Sequence, residues 1–461
     1  MRVPLVDLKA QHEEIAEEVG AAVADVFRSA AFVGGPAVAA FEQEYANFTG
    51  AGHCVGVANG TDALELALRA VGVAAGGEVI LPANTFIATA EAVSRIGAIP
   101  VFVDVDEEHL LIDPDAAEAA VTPRTQAIVP VHLFGQTAPV EQLRPVAARA
   151  GVPIVEDAAQ AQGARRHGIA AGALGSAAGT SFYPGKNLGA AGDAGAVTTD
   201  DEAVADRVRT LAAHGSRTKY HHEMIGMNSR LDTLQAVVLR AKLARLAGWN
   251  ERRREAASRY AELLADVPAI RLPLTADGNE HVWHLYVVRV PRRDQVLAVL
   301  HEHGVGGAIH YPQPLHLTPA YAHLGHDQGA FPVAERAAGH LLSLPIYPHI
   351  TPEHQEHVAS ALRTALAPGP SGRPRARRTW AGRRGTPGTS CRHRGGRRSR
   401  QRRRALTMTG TSAAAVGGER PPWPRLERGE QHRPQARDAC AGHHSRPPAH
   451  PPRSSGCTPS R

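Results

Sequence analysis

The sequence predicts an α/β protein built around a mostly parallel β-sheet. Between about residues 50 and 200, short runs that are apolar on both faces alternate with segments of helical periodicity. Strands that are apolar on both faces belong in a sheet covered by helices. The repeated order of strand and helix implies that most of these strands run parallel to one another.

Four apolar runs predict the strands of this sheet, and helical segments lie beside them. The predicted strands are Glu78–Leu81, Ala98–Asp104, Ala127–His132 and Val152–Val155. The predicted helices are Ala63–Val71, Asp115–Ala120 and Glu141–Ala150. Ligands of such sheets bind beyond the carboxyl ends of the strands. Asp157 closely follows the fourth strand and therefore lies where a ligand is expected.

A smaller α+β lobe of ordinary domain size is predicted to follow. Residues Leu231–Asn250 have the spacing of a long helix, and the charged run at 251–255 marks the passage to the lobe. The predicted strands of the lobe are Val282–Val290 and the region 309–311, and its predicted helices are Arg292–His303 and Pro352–Leu366. The predicted organisation is a large domain at 1–250, a small C-terminal domain at 251–367 and a tail at 368–461.

The charge of the chain is divided between its body and its tail. The 461 residues carry a net charge of +6, but residues 371–461 contain 22 arginines, no lysine and four acids. The preceding residues are therefore acidic. Rich in Arg, Pro, Gly and Ser, the tail is expected to be disordered, because it buries too little apolar surface to offset its ordering entropy. A basic tail can bind nucleic acid by counterion release, but no binding module is recognisable, so nucleic acid is not the expected partner.

Composition also argues against several other classes of protein. No stretch approaches the roughly 18 to 20 apolar residues of a membrane helix, and the start has no apolar signal core. Cys54 is the one cysteine of the body, so no disulfide framework or paired zinc motif is visible. Although the chain has 25 histidines, none of their clusters supplies the ligands that a zinc site needs. We expect a cytoplasmic protein without a metal ion.

Lys186 and Asp157, which lie 29 positions apart, are the most informative pair of residues. A lysine can hold the aldehyde of pyridoxal phosphate as a Schiff base, and a buried carboxylate can keep the cofactor's ring nitrogen protonated. The alternatives are a solvated surface lysine and a helix N-cap aspartate. Glu156 is less suited to reach the ring, because adjacent strand residues face opposite sides.

Five motifs resemble one family closely and occur in the order of that family. From about Pro4 to Ala367 the chain is similar to the DegT/DnrJ/StrS family of sugar aminotransferases. The resemblance implies a fold type I enzyme that uses pyridoxal 5'-phosphate, with a large domain carrying the cofactor and a small α+β lobe. The motifs are Gly60–Leu64, Pro82–Phe86, Glu156–Gln160, Ser181–Gly189 and Asn228–Asp232.

The resemblance and the local sequence together assign a cofactor site. Asn59 is followed by a helix start whose free amides can bind an anion, although Thr61 or Asp62 could be plain N-caps and Gln160 could cap a turn. Phe86, which alone would more often be a core residue, corresponds to an aromatic that stacks on the ring. In the family, the residue matching Asn228 crosses to the partner subunit, which implies a homodimer with shared active sites. The expected cofactor-binding residues are Gly60, Thr61, Asp62, Phe86, Asp157, Gln160, Ser181, Lys186 and Asn228.

Cationic and aromatic side chains near the lysine suit the diphosphate and hydroxyls of a nucleotide sugar. The candidates are Tyr183, Arg217, Lys219, Tyr220, His310 and Tyr311. Arg217 and Lys219 could equally be surface charges, and His310 could be a core residue.

The resemblance predicts amino transfer from L-glutamate to a nucleotide-linked, dTDP-type keto-6-deoxyhexose, with position 3 favoured over position 4. After transfer, the freed amine of Lys186 can move a proton between substrate and cofactor. Two alternatives stay open. A sugar dehydratase relative would carry histidine in place of Lys186, and a regulatory protein would keep the fold and use its basic tail.

Overall fold

The computed structural model describes residues 1–367. The predicted disordered tail at 368–461 lies outside the described residues. The helices are α1 (Leu8–Glu13), α2 (Ala16–Ser29), α3 (Pro36–Thr49), α4 (Gly60–Ala70), α5 (Ala88–Arg95), α6 (Pro114–Ala119), α7 (Val140–Ala150), α8 (Glu202–Ala212), α9 (Thr233–Leu264), α10 (Arg293–Glu302), α11 (Pro332–Ala338) and α12 (Pro352–Leu366).

The strands include long members of a central sheet and several short pairs. They are β1 (His53–Val57), β2 (Glu78–Pro82), β3 (Ile99–Val103), β4 (Thr125–Ile128), β5 (Val155–Asp157), β6 (Arg165–Arg166), β7 (Ile169–Ala170), β8 (Ala177–Ser181), β9 (Gly195–Thr199), β10 (Ser216–Thr218), β11 (His221–His222), β12 (Asn279–Glu280), β13 (Tyr286–Arg289) and β14 (Leu341–Leu344).

Seven strands form the central sheet in the order β3-β2-β4-β5-β8-β9-β1. The sets β3-β2-β4 and β1-β9-β8-β5 are each continuous, and parallel bridges join them at Ile128 to Ile154 and at Val131 to Asp157. The strand β9 pairs antiparallel with both of its neighbours, while β2, β3 and β4 and the pair β5 and β8 are parallel. The predicted mostly parallel α/β sheet is confirmed, with β9 as its reversed strand.

Apolar strands are buried on both faces of the sheet, as predicted. Along β2, Val79 and Leu81 pack into one hydrophobic cluster with residues of α4, α5 and α8. Ile80 lies between them and packs into a different cluster with residues of α6 and α7. Since neighbouring strand residues face opposite sides, the two clusters lie on opposite faces, which explains the unbroken apolar runs.

Most predicted elements occur at their expected places, but several differ in extent. The strand β4 ends at Ile128, four residues before the predicted end at His132, and β13 begins at Tyr286, four residues after the predicted start at Val282. The strand β5 begins at Val155, three residues after the predicted start. Residues 309–311 are not a strand, and only Ala308 bridges to Ser343 on β14. The helix α9 continues through residue 250 to Leu264, because buried residues such as Ala256, Ala257 and Tyr260 continue its packing beyond the charged run.

The C-terminal part of α9 packs into a hydrophobic cluster of its own with β13, β14, α10 and α12. This cluster corresponds to the predicted small lobe. All described residues belong to one compact unit, so the domain boundary at 250/251 stays a prediction. None of the helices in residues 1–367 combines the length and apolar character needed to cross a membrane.

Candidate active site

The carboxyl ends of two parallel strands bring the main predicted residues to one edge of the sheet. Asp157 is the last residue of β5, and Ser181 is the last residue of β8. Lys186 lies in the loop that leads from β8 to β9. Gly60 begins α4 and lies against Ser181. This edge is where ligands of α/β sheets bind.

Lys186 is half-buried in a tight turn. Its amide donates to the carbonyl of Tyr183 at 2.8 Å, and a Cβ at Gly189 would lie 2.3 Å from the carbonyl oxygen of Pro184, so the turn requires glycine there. Burial lowers the pKa of the Lys186 amine to about 8, while the Asp157 carboxylate opposes this shift. A substantial neutral fraction of the amine is therefore available near neutral pH, as a nucleophile or base requires.

Asp157 is buried, and contacts on both of its oxygens fix its carboxylate. Oδ2 accepts a hydrogen bond from Oγ1 of Thr89 at 2.7 Å, and Oδ1 accepts one from the amide of Ala159 at 3.1 Å. A turn rather than a helix follows Asp157, so the helix-cap alternative does not apply. Sequence reasoning missed Thr89, although its place three residues after Phe86 in the same motif region was a usable signal.

Glu156 faces away from the site, as its strand position predicted. It is fully buried, and its Oε2 lies 2.7 Å from Nε2 of His132. Its two oxygens also accept hydrogen bonds from the amides of Gly172, Leu174 and Gly175. These four contacts satisfy the hydrogen-bonding capacity of the carboxylate and stabilise β5 on the face opposite Asp157.

The N-terminus of α4 has free amides that could bind an anion. The N-cap Asn59 accepts a hydrogen bond at Oδ1 from the amide of Asp62 at 2.8 Å, which leaves the amides of Gly60 and Thr61 in the first turn, where helices lack internal acceptors. A Cβ on Gly60 would lie only 2.5 Å from Cβ of Ser181. The serine hydroxyl therefore borders the helix start, where exposed amides and the helix dipole favour an anion.

The side chain of Asp62 contacts Arg95 instead of the helix start. The buried Oδ1 of Asp62 lies 3.4 Å from a guanidinium nitrogen of Arg95, and the Asp62 amide is already bonded to Asn59. These contacts give no support to the cofactor-binding prediction for Asp62. Thr61 remains half-exposed at the mouth of the helix start.

Three predicted residues lie together beside this edge. Nε2 of Gln160 donates to the hydroxyl of Tyr311 at 3.0 Å, and Oε1 of Gln160 accepts from the amide of Phe134 at 2.7 Å. The rings of Phe86 and Tyr311 lie 5.9 Å apart, and Phe86 is 55% exposed. Phe86 is thus an open aromatic face, which argues against the core alternative.

Two further substrate candidates flank the lysine. Tyr183 belongs to the lysine turn and is largely exposed. His310 is half-buried, and burial, together with the charge of Lys186, lowers the pKa of His310 to about 4. The influence of Lys186 on His310 indicates that the two side chains share one region.

The remaining predicted residues lie outside this group within the single chain. Arg217 lies in the hairpin formed by β10 and β11 and pairs with Asp206 at 2.7 Å and with Glu223. Lys219 lies over the ring of Tyr220, 5.1 Å from its centroid, and Tyr220 is 82% exposed. Asn228 is also exposed. None of the contacts described for these four residues within residues 1–367 involves Lys186.

Asn187 was missed by sequence reasoning, although it directly follows the key lysine. Its Nδ2 donates to Oδ1 of Asn250 and to the carbonyl of Val282, both at 2.9 Å. Its Oδ1 lies 3.2 Å from Nδ1 of His284. Asn187 therefore ties the lysine loop to α9 and to the segment before β13. Within residues 1–367, no group of His, Cys, Asp or Glu side chains is arranged to hold a metal ion.

An amine of lowered pKa, a fixed carboxylate, an open aromatic face and an anion site meet at one sheet edge. This set of groups fits pyridoxal 5'-phosphate, which carries an aldehyde, a ring nitrogen and a phosphate. Fold and site together define a fold type I enzyme that uses this cofactor.

Comparison with known proteins gives the family. Residues 13–363 match the DegT/DnrJ/EryC1/StrS aminotransferase family, and the chain belongs to it. The erythromycin biosynthesis sensory transduction protein EryC1 of Saccharopolyspora erythraea is 50% identical over 363 residues, which are 79% of this chain and 99% of that protein. The dTDP-3-amino-3,4,6-trideoxy-alpha-D-glucose transaminase of Streptomyces venezuelae is 49% identical over 362 residues, which are 78% of this chain and 96% of that enzyme.

A solved structure agrees with this assignment. The crystal structure of DesV from S. venezuelae in complex with a ketimine intermediate aligns with a TM-score of 0.77 at 49% identity, covering 79% of this chain and 99% of that one. The protein is therefore a sugar aminotransferase with pyridoxal 5'-phosphate as its cofactor, and the predicted family, fold class, enzyme class and cofactor are confirmed.

Proposed function

We propose that this enzyme transfers the amino group of L-glutamate to position 3 of a dTDP-linked keto-6-deoxyhexose. The observation that carries the proposal is the pairing of Lys186, whose pKa is lowered to about 8, with the fixed carboxylate of Asp157. When bound, the cofactor supplies an electron sink for the carbon that loses or gains the amine. The choice of position 3 is supported by the name of the S. venezuelae relative, a dTDP-3-amino sugar transaminase.

Each cofactor-facing residue has a distinct task under this proposal. Lys186 would hold the aldehyde of the cofactor, and its free amine, whose lowered pKa suits a base, would take a proton from or give one to the substrate carbon. Asp157, which Thr89 holds in place, would contact the ring nitrogen of the cofactor and keep it protonated. The amides at the start of α4 and the hydroxyl of Ser181, which lies against Gly60, would hold the phosphate.

The sugar is bound by neutral polar and aromatic groups around the lysine. Tyr183 is exposed in the same turn as Lys186. His310 and Tyr311 come from the segment between α10 and α11, where the charge of Lys186 affects His310 and Tyr311 bonds to Gln160. Such groups suit hydroxyls and an apolar sugar face better than they suit a metal ion or a nucleic acid.

A second copy of the chain completes the site in this proposal. Asn228 and the β10–β11 hairpin, with Arg217, Lys219 and Tyr220, are exposed, and none of their contacts within residues 1–367 involves Lys186. In a homodimer, Asn228 would meet the partner's cofactor phosphate, and the hairpin cations would meet the sugar diphosphate. Twofold symmetry would form two such sites.

The test follows the two half-reactions separately on the purified holoenzyme. L-Glutamate alone should convert the cofactor to its amine form, which is detected by absorption, while L-alanine serves as the comparison donor. The aminated enzyme should then regain its starting spectrum with a dTDP-3-keto-6-deoxyhexose. A faster return with the 4-keto isomer, or with the matching UDP-linked sugar, would overturn the assignment of position or nucleotide.

A regulatory function is the second candidate, because EryC1 is described as a sensory transduction protein and the tail of this chain is basic. Removing residues 368–461 distinguishes the two. Catalysis should survive the truncation, whereas binding through the tail should be lost and should show steep salt dependence in the full chain. The dehydratase alternative is disfavoured by the lysine at position 186.

A further inference from the structure

A buried serine outside the predicted site touches one of the predicted substrate residues. Ser343 on β14 is fully buried, and its Oγ lies 2.8 Å from Nδ1 of His310. The main chain holds the two residues in this register, because the amide of Ser343 donates to the carbonyl of Ala308 at 2.8 Å and the amide of Ala308 donates back at 3.3 Å. His310 is thus fixed through the backbone two residues before it and at one ring nitrogen.

The direction of this hydrogen bond follows from the proton of the serine hydroxyl. A buried hydroxyl needs an acceptor for its single proton. Within residues 1–367, the side chain of Ser343 has no hydrogen-bond partner other than Nδ1 of His310. If Nδ1 carried the ring proton, the serine O–H would be left without an acceptor, which costs free energy. Ser343 therefore donates, and a neutral ring carries its proton on Nε2.

The surroundings keep the ring of His310 neutral. Burial and the charge of Lys186 lower its pKa to about 4. The imidazole of His284, which lies in the same region, is also kept neutral, because burial and the charges of Lys186 and Arg253 hold its pKa well below the usual range. A neutral N–H is a good donor to a hydroxyl or carbonyl oxygen, whereas a carboxylate is better bound by a cation.

We propose that Ser343 is a positioning residue that fixes the Nε2–H tautomer of His310, so that this N–H donates a hydrogen bond to an oxygen of the acceptor sugar. The inference rests on the proposed function, since it takes a keto sugar as the acceptor. Nε2 of His310 has no hydrogen-bond partner among the described residues, so it is available to a substrate. With the opposite tautomer, the same nitrogen would present a lone pair and repel a carbonyl oxygen.

Kinetics of the separate half-reactions test this function of Ser343. In the full-length holoenzyme, Ser343→Ala should lower kcat/KM for the keto sugar by roughly 10- to 100-fold, the usual effect of losing a residue that orients a functional histidine. The glutamate half-reaction should be unchanged. Ser343→Thr, which keeps the hydroxyl, should restore the sugar half-reaction. Ser94→Ala removes an exposed serine of α5 whose hydroxyl donates to the carbonyl of Ala90, and it should alter neither half-reaction.

Neutron diffraction from deuterium-exchanged crystals of the holoenzyme tests the tautomer directly and does not depend on activity. Deuterium on Nε2 of His310 and on Oγ of Ser343 is expected, and deuterium on Nδ1 would overturn the proposal. Unchanged sugar kinetics in Ser343→Ala, or equal losses in both half-reactions, would also overturn it. A wild-type enzyme that does not react with glutamate would contradict the proposed donor, while the neutron map would still decide the tautomer.

Discussion

The two halves of the predicted site differ in how completely one chain builds them. On the sheet side, Lys186 and Asp157 lie at strand ends, and each polar atom of Asp157 has a partner. On the hairpin side, Arg217 pairs only with acids near it in sequence, and Tyr220 is 82% exposed. A single chain therefore organises the lysine, the carboxylate and the start of α4, whereas under our proposal Asn228 and the hairpin complete the site of a second subunit.

The largest expected effect is on the sheet side. Lys186→Ala should lower kcat by about 10⁴-fold or more, because it removes both the covalent attachment and the base. The variant should remain folded, since the residue is half-buried in a loop and makes no side-chain hydrogen bond within residues 1–367. Stopped-flow absorbance of the glutamate half-reaction measures the effect.

Lys242→Met is the matched control for this variant. Burial also lowers the pKa of Lys242 to about 8, but this lysine lies on α9, in none of the contacts described for the site. Its replacement should leave both half-reactions unchanged. Retained amino transfer by Lys186→Ala would contradict the mechanism, and equal losses in the two variants would indicate that burial of a lysine, not its chemistry, is responsible.

A substitution at Asn228 distinguishes a site shared between two subunits from a site built by one chain. Asn228→Asp places a carboxylate opposite a phosphate and should weaken cofactor binding by roughly 10- to 100-fold, since like charges in contact are unfavourable. Mixing this variant with Lys186→Ala should restore activity, because a mixed dimer holds one site with an intact lysine and an intact asparagine. Equilibrium dialysis of the cofactor and assays of the refolded mixture measure these effects.

Asn47→Asp, on the exposed surface of α3, is the control for adding a charge and should leave cofactor affinity unchanged. Absence of recovery in the mixture, with mixed dimers demonstrated by mass, would contradict shared sites. In that case Asn228 would serve the site of its own chain.

The sequence predicted the sheet half well because local patterns determine it. The apolar run of β2 predicted its burial on both faces, and the position of Asp157 after the fourth predicted strand placed it at the ligand-binding edge. Lys186 was identified from its motif, because no strand was predicted before it. The opposite orientations of Glu156 and Asp157 followed from the two-residue period of a strand. These inferences need only short-range geometry.

These local patterns could not predict contacts between residues that lie far apart in the sequence. The reversed direction of β9 depends on which strands it joins, and a local apolar run does not encode this. The contact of Ser343 with His310 spans 33 positions, and Thr89 meets Asp157 across 68. The continuation of α9 through a charged run arose because buried alanines and Tyr260 on the next turns pack against the C-terminal cluster.

A smaller effect is expected from the hairpin. Arg217→Ala should raise KM for the nucleotide sugar by roughly threefold to tenfold, since one exposed cation near a diphosphate contributes modestly. The glutamate half-reaction and the melting temperature should be unchanged, because the arginine pairs only at the surface. Steady-state kinetics with the sugar at varied salt measure the effect. A loss in the glutamate half-reaction instead would show that the hairpin supports the cofactor half.

The smallest effect is a change of melting temperature with pH, which is expected for a variant at Lys186 on the sheet side and not for one at Arg217 in the hairpin. In the cofactor-free protein the pKa of Lys186 is about 8, below its ordinary value of 10.5. Between these values the unfolded chain binds more protons than the folded one, so stability contributed by this group rises with pH. Lys186→Met removes the buried charge and should raise the melting temperature at about pH 7, by an amount that shrinks as pH rises through 8 toward 10.5.

Arg217→Met supplies the comparison, because an exposed guanidinium stays charged over this range in both states and its replacement should give no such trend. Thermal unfolding from about pH 7 to about pH 10 measures both variants. A difference between Lys186→Met and the parent that does not vary with pH would show that shape, not charge, sets the stability cost of the lysine. With cofactor added, the parent should have the higher melting temperature. Only the parent can attach the cofactor covalently and gain the stability of a bound ligand. The buried charge of Lys186 thus lowers the stability of the cofactor-free protein, and binding of the cofactor removes this cost. Such a cost is expected where the chain positions the lysine before the cofactor binds.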